Sequence, residues 1–439
     1  MSATGPSVVD LAGSSLTGAV SRPLRVALLG FGTVGSSVAR ILAERPELVD
    51  RLQLTHVFNR DVARKRVDWV PSTVSWGDDA DAVFSTAPDI VVEVIGGVDT
   101  AAPLVRRALE QGISVVTANK MLLAAHGPEL LHLAAAHGAQ LRFEAAVGGG
   151  VPLIHGVREG LAGDVLTGVA GILNGTCNYI LSRMEKTEEA LAPVLADAQR
   201  QGYAEADPTA DVDGHDAAAK LVVLAGIAFR RYLRTQDLPT RTIRTIKSAD
   251  FQYARALGCT IRQISQVQAS GDGFHAFVGP ALVPLSSSLG RNQGANNVVS
   301  IYGKYGGQSA FSGAGAGGPA TAVAVVSDLL ALTQRIRNDR EEWRPGSVVA
   351  PPARPYYLRF VVKDRPGILA AIAAALAGQR VNLDAVLQEP GYAKDALPFV
   401  ITVEDCEEAA LTTAFESISS AEWHAEPPLA LPMLLDENS

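Results

Sequence analysis

The run LRVALLGFGTVGSSVARILAE, residues 24–44, decides the fold of the first part of the chain. Residues 24–29 are an apolar run typical of a buried strand, and residues 36–44 have the composition of a helix. Between them, GFGTVG at 30–35 has glycines where a tight turn must bring backbone close to a pyrophosphate at a helix N-terminus. The run therefore predicts a dinucleotide-binding fold.

Apolar runs alternate with helical stretches through the next hundred residues. We predict a helix at 100–111 and further strands at 52–58, 89–95, 114–117 and 141–146. Continuous apolar strands separated by helices favour a parallel sheet, in which ligands bind at the carboxyl ends of the strands. Lys120 follows one of those strand ends, so it is a better site candidate than a random surface lysine.

The end of the second strand bears on the choice of nucleotide. NAD-binding folds usually place an acid there to bind the ribose 2′-hydroxyl. This chain has neutral Asn59 followed by Arg60, and a basic run at 64–66 comes soon after. These cations favour NADP, with NAD as a second acceptable cofactor. A solvated basic turn is the alternative, and it suits 64–66 better than it suits Arg60.

Composition limits the class of protein. The chain has 439 residues, a length that predicts two or three domains, and a net charge of −8, which argues against a nucleic-acid partner. No run reaches the eighteen or so apolar residues of a membrane helix. Three widely separated cysteines suggest neither disulfides nor a metal site, and they fit a reducing cytoplasm. Residues 1–22 do not have the features of a signal peptide, and we expect a flexible tail.

The stretch GYAEADPTADVDGHDAAAK, residues 202–220, concentrates five carboxylates around the start of a helix predicted at 215–228. Asp216 and Lys220 are four residues apart, so they share a face of that helix. One interpretation is an ordinary helix start with a favourable ion pair. The other is a polar pocket whose carboxylates hold an ammonium-bearing substrate while the lysine transfers a proton. The stretch alone favours the first interpretation, and the rest of the chain favours the second.

Three more stretches rich in glycine or asparagine interrupt the middle of the chain. Glu144 with the carbonyls of 147–152 could coordinate a hard cation, although a tight interdomain crossover explains the residues equally well. Residues 174–176 end a strand before a helix predicted to begin near Cys177, where backbone N–H groups could bind a carboxylate. Residues 257–311 resemble strands, and a glycine loop at 312–318 leads into a helix expected to pack back on the first sheet.

We therefore expect an α/β protein with a Rossmann-type, doubly wound dinucleotide-binding domain. An α+β substrate and dimerisation domain follows, and the C-terminal domain has the β-α-β-β-α-β order of a ferredoxin-like fold. The expected divisions are a flexible tail at 1–22, the nucleotide domain at 23–152 completed by a helix at 319–338, the second domain at 153–318, a linker at 339–355 and the C-terminal domain at 356–439.

Taken together, these motifs resemble those of a monofunctional homoserine dehydrogenase with a C-terminal ACT domain. The matching stretches are GFGTVG (30–35), TANK (117–120), EAAVGGGVP (144–152), GILNGT (171–176), the 202–220 stretch, GAGAGG (313–318) and DRPGIL (364–369). The resemblance implies NAD(P)H-dependent reduction of L-aspartate 4-semialdehyde to L-homoserine, on the way to threonine, methionine and isoleucine. It also implies a homo-oligomer, dimer or tetramer, with L-threonine as a possible effector of the ACT domain.

The resemblance also assigns roles to residues. Lys220 would be the proton donor to the nascent alkoxide. The substrate-binding residues it implies are Glu205, Asp216, Asp211, Lys120, Thr176 and Tyr203. The cofactor-binding residues are Gly30, Phe31, Gly32, Thr33, Val34, Gly35, Arg60, Lys120, Gly202 and Gly317. Glu144 with the carbonyls of Val147, Gly149 and Val151 matches the family's sodium site.

Three alternatives remain. Another NAD(P)-dependent oxidoreductase on an amino-acid-like substrate, such as an aspartate dehydrogenase, would lack the Asp216 and Lys220 pair and the ACT tail. A non-catalytic amino-acid sensor would be indicated by loss of the 30–35 glycines or of Lys220, and all are present. For the C-terminal domain alone, the alternative to threonine regulation is a dimerisation module.

Overall fold

The structure is a computed structural model that describes residues 22–271, 273–334 and 341–435. Nearly all of the predicted tail at 1–22 therefore lies outside the described residues. Among the residues described, no helix is both long and apolar enough to cross a membrane.

The first sheet is parallel and six-stranded, in the order β3-β2-β1-β4-β5-β6. Its strands are β1 (Leu24–Leu29), β2 (Leu52–Phe58), β3 (Ser75–Gly77), β4 (Ile90–Glu93), β5 (Ser114–Thr117) and β6 (Leu141–Arg142). Its helices are α1 (Thr33–Glu44), α2 (Val62–Lys65), α3 (Ala80–Ser85), α4 (Ala101–Glu110) and α5 (Lys120–Ala136). This strand order is that of the dinucleotide-binding fold, with a switch point between β1 and β4. The predicted parallel sheet is confirmed.

The strand predicted at 141–146 is shorter than expected. Pairing with β5 stops at Arg142, and the chain turns through a 3₁₀ helix at Glu144–Ala146. The turn lets the buried Glu144 carboxylate accept hydrogen bonds from the backbone of α6 (Leu153–His155), which a continued strand would prevent. A π-helical turn, Gly156–Gly160, follows.

The second sheet has the order β12-β11-β7-β9-β10-β14, where β14 is Val348–Val349, and is antiparallel except for its last pair. Its four long strands are β9 (Cys259–Ser270), β10 (Gly273–Pro284), β11 (Asn296–Gly303) and β12 (Gly307–Ala314), joined by β7 (Leu166–Ile172). The helices are α7 (Gly175–Thr187), α8 (Leu191–Arg200), α9 (Thr209–Val212), α10 (His215–Phe229), α11 (Ser248–Ala256) and α12 (Ser288–Arg291), and β8 (Arg231–Tyr232) follows α10. The α+β character predicted for this part is confirmed.

Helix α13 (Gly318–Leu332) returns to the first sheet and packs on α1, as predicted. The helix expected at 319–338 is wrong in its extent, because its regular hydrogen bonding ends at Leu332 and Thr333 forms the cap. Residues 335–338 of that prediction lie outside the described residues.

The segment predicted as a linker at 339–355 is structured where it is described. Two short strands, β13 (Arg344–Pro345) and β14 (Val348–Val349), pair with β8 and β10. Trp343 is buried, with 2% of its surface exposed. A segment rich in proline and charge is typical of a linker, but one buried aromatic side chain and a few backbone hydrogen bonds order this one.

The C-terminal unit is an antiparallel sheet in the order β16-β17-β15-β18 with two helices on one face. Its elements are β15 (Arg354–Val362), α14 (Ile368–Gly378), β16 (Leu383–Leu387), β17 (Leu397–Cys406), α15 (Glu408–Ile418) and β18 (His424–Pro432). The ferredoxin-like prediction is confirmed. The other face of the sheet shares a hydrophobic core with α7, α8 and α11, so this unit is docked on the second domain.

Candidate active site

The glycine loop after β1 forms an open helix N-terminus. Gly30 has φ +106°, and a Cβ there would lie 2.8 Å from the Val94 carbonyl oxygen, so only glycine fits this turn. A Cβ on Gly32 would meet nothing within 4 Å, and no side chain caps α1. The first N–H groups of α1 therefore point into free space, as a bound pyrophosphate requires. The residues present fit a dinucleotide.

Other predicted cofactor residues differ in how they are placed. Thr33 is exposed and Gly318 packs against it, since a Cβ on Gly318 would lie 2.8 Å from Thr33 Cγ2. This contact joins the second glycine loop, including Gly317, to the first. The Phe31 side chain is buried and packs edge-on against Trp76, so only its backbone faces the loop. Arg60 is exposed at the end of β2.

Lys220, Asp216 and Lys120 meet at the junction of the two sheets. Lys220 Nζ donates to Asp216 Oδ2 at 2.7 Å and to the Leu173 carbonyl at 2.9 Å. Lys120 Nζ lies 3.1 Å from the other Asp216 oxygen. The Lys220 and Asp216 side chains are 13% and 11% exposed, and that of Lys120 is 35% exposed. The structure thus brings together three of the predicted site residues, from two domains.

Charge keeps Asp216 ionised. Burial alone would raise the pKa of Asp216, but the ammonium groups of Lys220 and Lys120, with hydrogen bonds from Lys220 and Asn174, hold it well below its ordinary range. For Asp211 burial dominates, and the neighbouring Asp216 charge adds to it, so the pKa of Asp211 is raised. Two carboxylates close together therefore differ in their affinity for a proton.

Asn174 connects these two carboxylates, a role that the sequence did not reveal. Its Nδ2 donates to Asp211 Oδ1 at 2.7 Å and to Asp216 Oδ2 at 2.9 Å, while its Oδ1 caps α7 by accepting from Cys177 N at 2.7 Å. From the sequence, the 174–176 motif predicts only a helix start able to bind a carboxylate. An asparagine that caps a helix with its side-chain oxygen still has an NH₂ group that can donate elsewhere. This remaining donor is the feature of the sequence from which the second role could have been inferred.

Glu93 is a second residue that the sequence reading missed. It ends β4 with no exposed surface, and burial raises its pKa. It accepts from the backbone of Ile95 at 2.9 Å and from Thr117 Oγ1 at 2.6 Å. Thr117 accepts in turn from Asn119 N at 3.0 Å, directly before Lys120. This buried network fixes the loops at the carboxyl ends of β4 and β5.

The remaining predicted substrate residues lie around the start of α7. Thr176 Oγ1 donates to the Tyr203 carbonyl at 2.7 Å, and the Tyr203 ring stacks on Tyr179 with ring centroids 4.4 Å apart. Gly202, with φ +79°, precedes this tyrosine. The Glu205 side chain is exposed, and the structure does not bring it to Lys220 or Asp216; its carbonyl accepts from Gln199 Nε2 at 3.0 Å.

The predicted cation residues lie between the domains and are buried. Glu144 accepts from Ile154 N at 2.9 Å and from His155 N at 2.7 Å, and burial raises its pKa. Val147 and Val151 are 0% and 3% exposed, and a Cβ on Gly149 would lie 2.5 Å from the Gly315 carbonyl. The donor set of one carboxylate and backbone carbonyls is chemically suited to a hard cation, although both Glu144 oxygens already accept hydrogen bonds.

The fold and the site define an NAD(P)-dependent oxidoreductase. Sequence profiles described as "Homoserine dehydrogenase, NAD binding domain", "Homoserine dehydrogenase" and "ACT domain" match residues 30–144, 152–330 and 356–421. A homoserine dehydrogenase of Pseudomonas aeruginosa is 36% identical over 423 residues, covering 92% of this chain and 98% of the relative. The chain therefore belongs to the homoserine dehydrogenase family, whose members are oxidoreductases acting on a CH–OH group.

Solved structures agree with this assignment. A homoserine dehydrogenase from Thiobacillus denitrificans superposes with a TM-score of 0.87 at 33% identity, covering 94% of this chain and 98% of that one. A mutant of a hyperthermophilic archaeal homoserine dehydrogenase, in complex with NADPH, has a TM-score of 0.63 at 25% identity and covers 72% of this chain and 99% of that one. The first comparison extends over the C-terminal unit as well as the two catalytic domains.

Proposed function

We propose that this protein reduces L-aspartate 4-semialdehyde to L-homoserine, with Lys220 as the proton donor. The observation that carries the assignment is the hydrogen bonding of Lys220. An ammonium group has three N–H donors, and two of them bind Asp216 and the Leu173 carbonyl. The third remains for the aldehyde oxygen, and the neighbouring Lys120 begins α5 at the same edge of the parallel sheet where α1 begins.

When bound, the reduced nicotinamide supplies the hydride that adds to the aldehyde carbon. Lys220 delivers a proton to the oxygen as its negative charge develops, which completes the C–H and O–H bonds of homoserine. Asp216 holds the Lys220 ammonium in place and, with Asp211, presents negative charge to the substrate ammonium. Lys120 lies against Asp216 near the reacting end, and the Glu93 network fixes the backbone just before it. We also propose Thr176, Tyr203 and Glu205 as substrate contacts, of which Glu205 is exposed and makes no contact with Lys220 or Asp216.

The direct test is oxidation of L-homoserine by the purified full chain, followed by nicotinamide absorbance with NADP and with NAD. We expect cofactor reduction that depends on homoserine. A folded chain that reduces neither cofactor in the presence of homoserine would overturn the proposed function and favour the amino-acid sensor.

Arg60 tests the preference for NADP. We propose that its guanidinium binds the 2′-phosphate, with Gly30 to Gly35, Gly202 and Gly317 completing the cofactor site; the NADPH complex of the archaeal relative supports this. A hydrogen bond to a charged group contributes about 1.5–3 kcal/mol, so Arg60→Ala should raise the KM for NADP about tenfold or more. NAD has no 2′-phosphate for Arg60 to bind, so the KM for NAD should change less than about twofold. Arg66→Ala, an exposed arginine on the same turn, is the control, and an equal effect of both variants would remove the assignment.

We also propose a sodium site formed by Glu144 and the carbonyls of Val147, Gly149 and Val151. The support is the hard-oxygen donor set and the burial of the loop between the two domains. Replacing sodium by tetramethylammonium at constant ionic strength should then lower activity or thermal stability, because that ion is too large for the loop. If neither quantity changes, the proposed site does not bind sodium.

For the C-terminal unit we propose feedback regulation by L-threonine, within threonine, methionine and isoleucine biosynthesis. The ACT match and the core shared with α7 support a regulatory role. Inhibition of homoserine oxidation by threonine is the test, and an unaffected rate leaves a dimerisation module.

We further propose a cytoplasmic homo-oligomer. The three unpaired, buried cysteines fit a reducing compartment, and sedimentation of the full chain tests the assembly.

A further inference from the structure

Trp343 lies between the two helices that carry the site lysines. Helix α5 begins at Lys120, α10 carries Lys220, and the two helices pack against each other. A Cβ on Gly127 of α5 would lie 2.5 Å from Cζ3 of the Trp343 ring. A Cβ on Gly226 of α10 would lie 2.5 Å from Cδ2 of the same ring. The indole therefore lies directly against the backbone of both helices.

The two glycines are otherwise poorly suited to their positions. Both are buried residues in helix interiors, where glycine is among the least favourable residues. Neither has a positive φ, so backbone conformation does not require glycine at either position. The ring of Trp343 provides the physical reason for both, because any larger residue would overlap it.

The ring is held from its other side as well. Trp343 Nε1 donates to Glu341 Oε1 at 3.0 Å, and Arg158 donates to the other Glu341 oxygen at 2.6 Å. The Phe143 ring meets the indole edge-on, with centroids 5.8 Å apart. The next residue, Arg344, donates its backbone N–H to the Arg230 carbonyl at 3.1 Å, at the C-cap of α10. The indole thus has a fixed position to which both helices conform.

This contact lies close enough to the lysines to control their positions. Gly127 is seven residues from Lys120 and Gly226 is six from Lys220, which is about 10 Å along each helix at a rise of about 1.5 Å per residue. Lys220 binds Asp216 within α10, and Lys120 binds the same carboxylate from α5. A change in the spacing of α5 and α10 must therefore move Lys120 relative to the Asp216–Lys220 pair.

We propose that Trp343 is a positioning residue, whose ring sets the spacing of α5 and α10 and so places Lys120 of α5 against the Asp216–Lys220 pair of α10. The expected effect on kcat rests on the proposed function, whereas the packing of Trp343 against the two helices does not. In the sequence, Trp343 belongs to the segment that joins the second domain to the C-terminal unit. This segment therefore also helps to shape the active site.

The test is a double-mutant cycle between Trp343 and Gly226, read out as kcat, KM and melting temperature. Gly226→Ala forces a methyl group into the ring and should lower kcat at least tenfold, since a misplacement of about 1 Å can cost about 100-fold. The KM for homoserine should change less than kcat does. Trp343→Ala should also lower kcat, and Trp343→Phe should retain more activity. In the Trp343→Ala background, adding Gly226→Ala should leave kcat and melting temperature unchanged or higher, because the overlap is gone.

Gly378→Ala is the matched control, because this glycine ends α14 and its Cβ would meet nothing within 4 Å. Kinetics are compared at a temperature at which circular dichroism shows each variant folded. A purely structural role would lower the melting temperature and leave kcat of the folded variants at the wild-type value, and that result overturns the proposal. Equal effects of Gly226→Ala in the wild-type and Trp343→Ala backgrounds would overturn the proposal as well. A wild-type chain inactive on homoserine overturns the proposed function instead, and the melting temperatures still test the contact.

Discussion

Lys220→Ala should lower kcat for homoserine oxidation by about 10²–10⁴-fold, the usual contribution of a positioned acid or base, with KM little changed. The reason is geometric: the Lys220 ammonium is the donor held between Asp216 and the Leu173 carbonyl, with one N–H left over. Lys120 stays on the other Asp216 oxygen, so much of the positive charge at the carboxylate remains. The measurement is steady-state kinetics in both directions.

Two further variants separate proton transfer from charge. Lys220→Arg keeps a cation beside Asp216 but is effectively never deprotonated, since the pKa of arginine exceeds about 12, so kcat should stay low. Lys186→Ala removes an exposed lysine at the end of α7 and should have no effect. A Lys220→Ala enzyme with substantial activity would show that another group donates the proton.

Local patterns predicted the parts of the fold that depend on local chemistry. The strand, glycine loop and helix at 24–44 follow from apolar patterning and turn geometry, and the parallel sheet follows from the alternation of elements. Asp216 and Lys220 could be paired from spacing alone, because both lie on one helix. These inferences needed no knowledge of which residues meet across the chain.

The features that were missed all depend on long-range contacts. In the sequence, Glu93 is simply one residue of a run predicted as a buried strand. Only the structure shows that Thr117 of the next strand donates a hydrogen bond to it. Asn174 binds carboxylates about forty residues further along the sequence. Trp343 lies in a stretch whose proline and charge indicated a linker, and its burial depends on glycines in two distant helices. A single sequence does not show which distant residues will be in contact.

The second large effect is expected at the buried pair that docks the C-terminal unit. Asp250 of α11 is fully buried and accepts hydrogen bonds from Arg359 and, at 2.7 Å, from the Tyr357 hydroxyl, both on β15. Lys247 N donates to the same carboxylate at 2.8 Å. Removing one member of such a pair typically costs about 3–5 kcal/mol, because the partner remains buried and uncompensated. Arg359→Met should lower the free energy of unfolding by about that much.

The loss should depend on pH in a defined direction. Burial already raises the pKa of Asp250 against the opposing charge of Arg359. Without Arg359 the folded pKa of Asp250 rises further above its unfolded value, so the folded state binds the proton more tightly. Stability of Arg359→Met should then fall as pH increases from the unfolded pKa through the folded one. Urea denaturation of wild type and variant from pH 5 to 8 should show a growing difference.

Lys247→Met supplies the comparison, because Lys247 also crosses the interface but pairs with Glu426 in an exposed position, with side chains 47% and 34% exposed. Exposed pairs contribute only about 0–1 kcal/mol, so this variant should remain close to wild type at every pH. Similar losses from both variants would mean that the buried charge has no special role. A large loss confined to Arg359→Met would show that the docked state depends on one ion pair. Because α11 shares its core with α7, whose cap Asn174 binds Asp216, that pair would then connect the C-terminal unit to the Asp216 carboxylate.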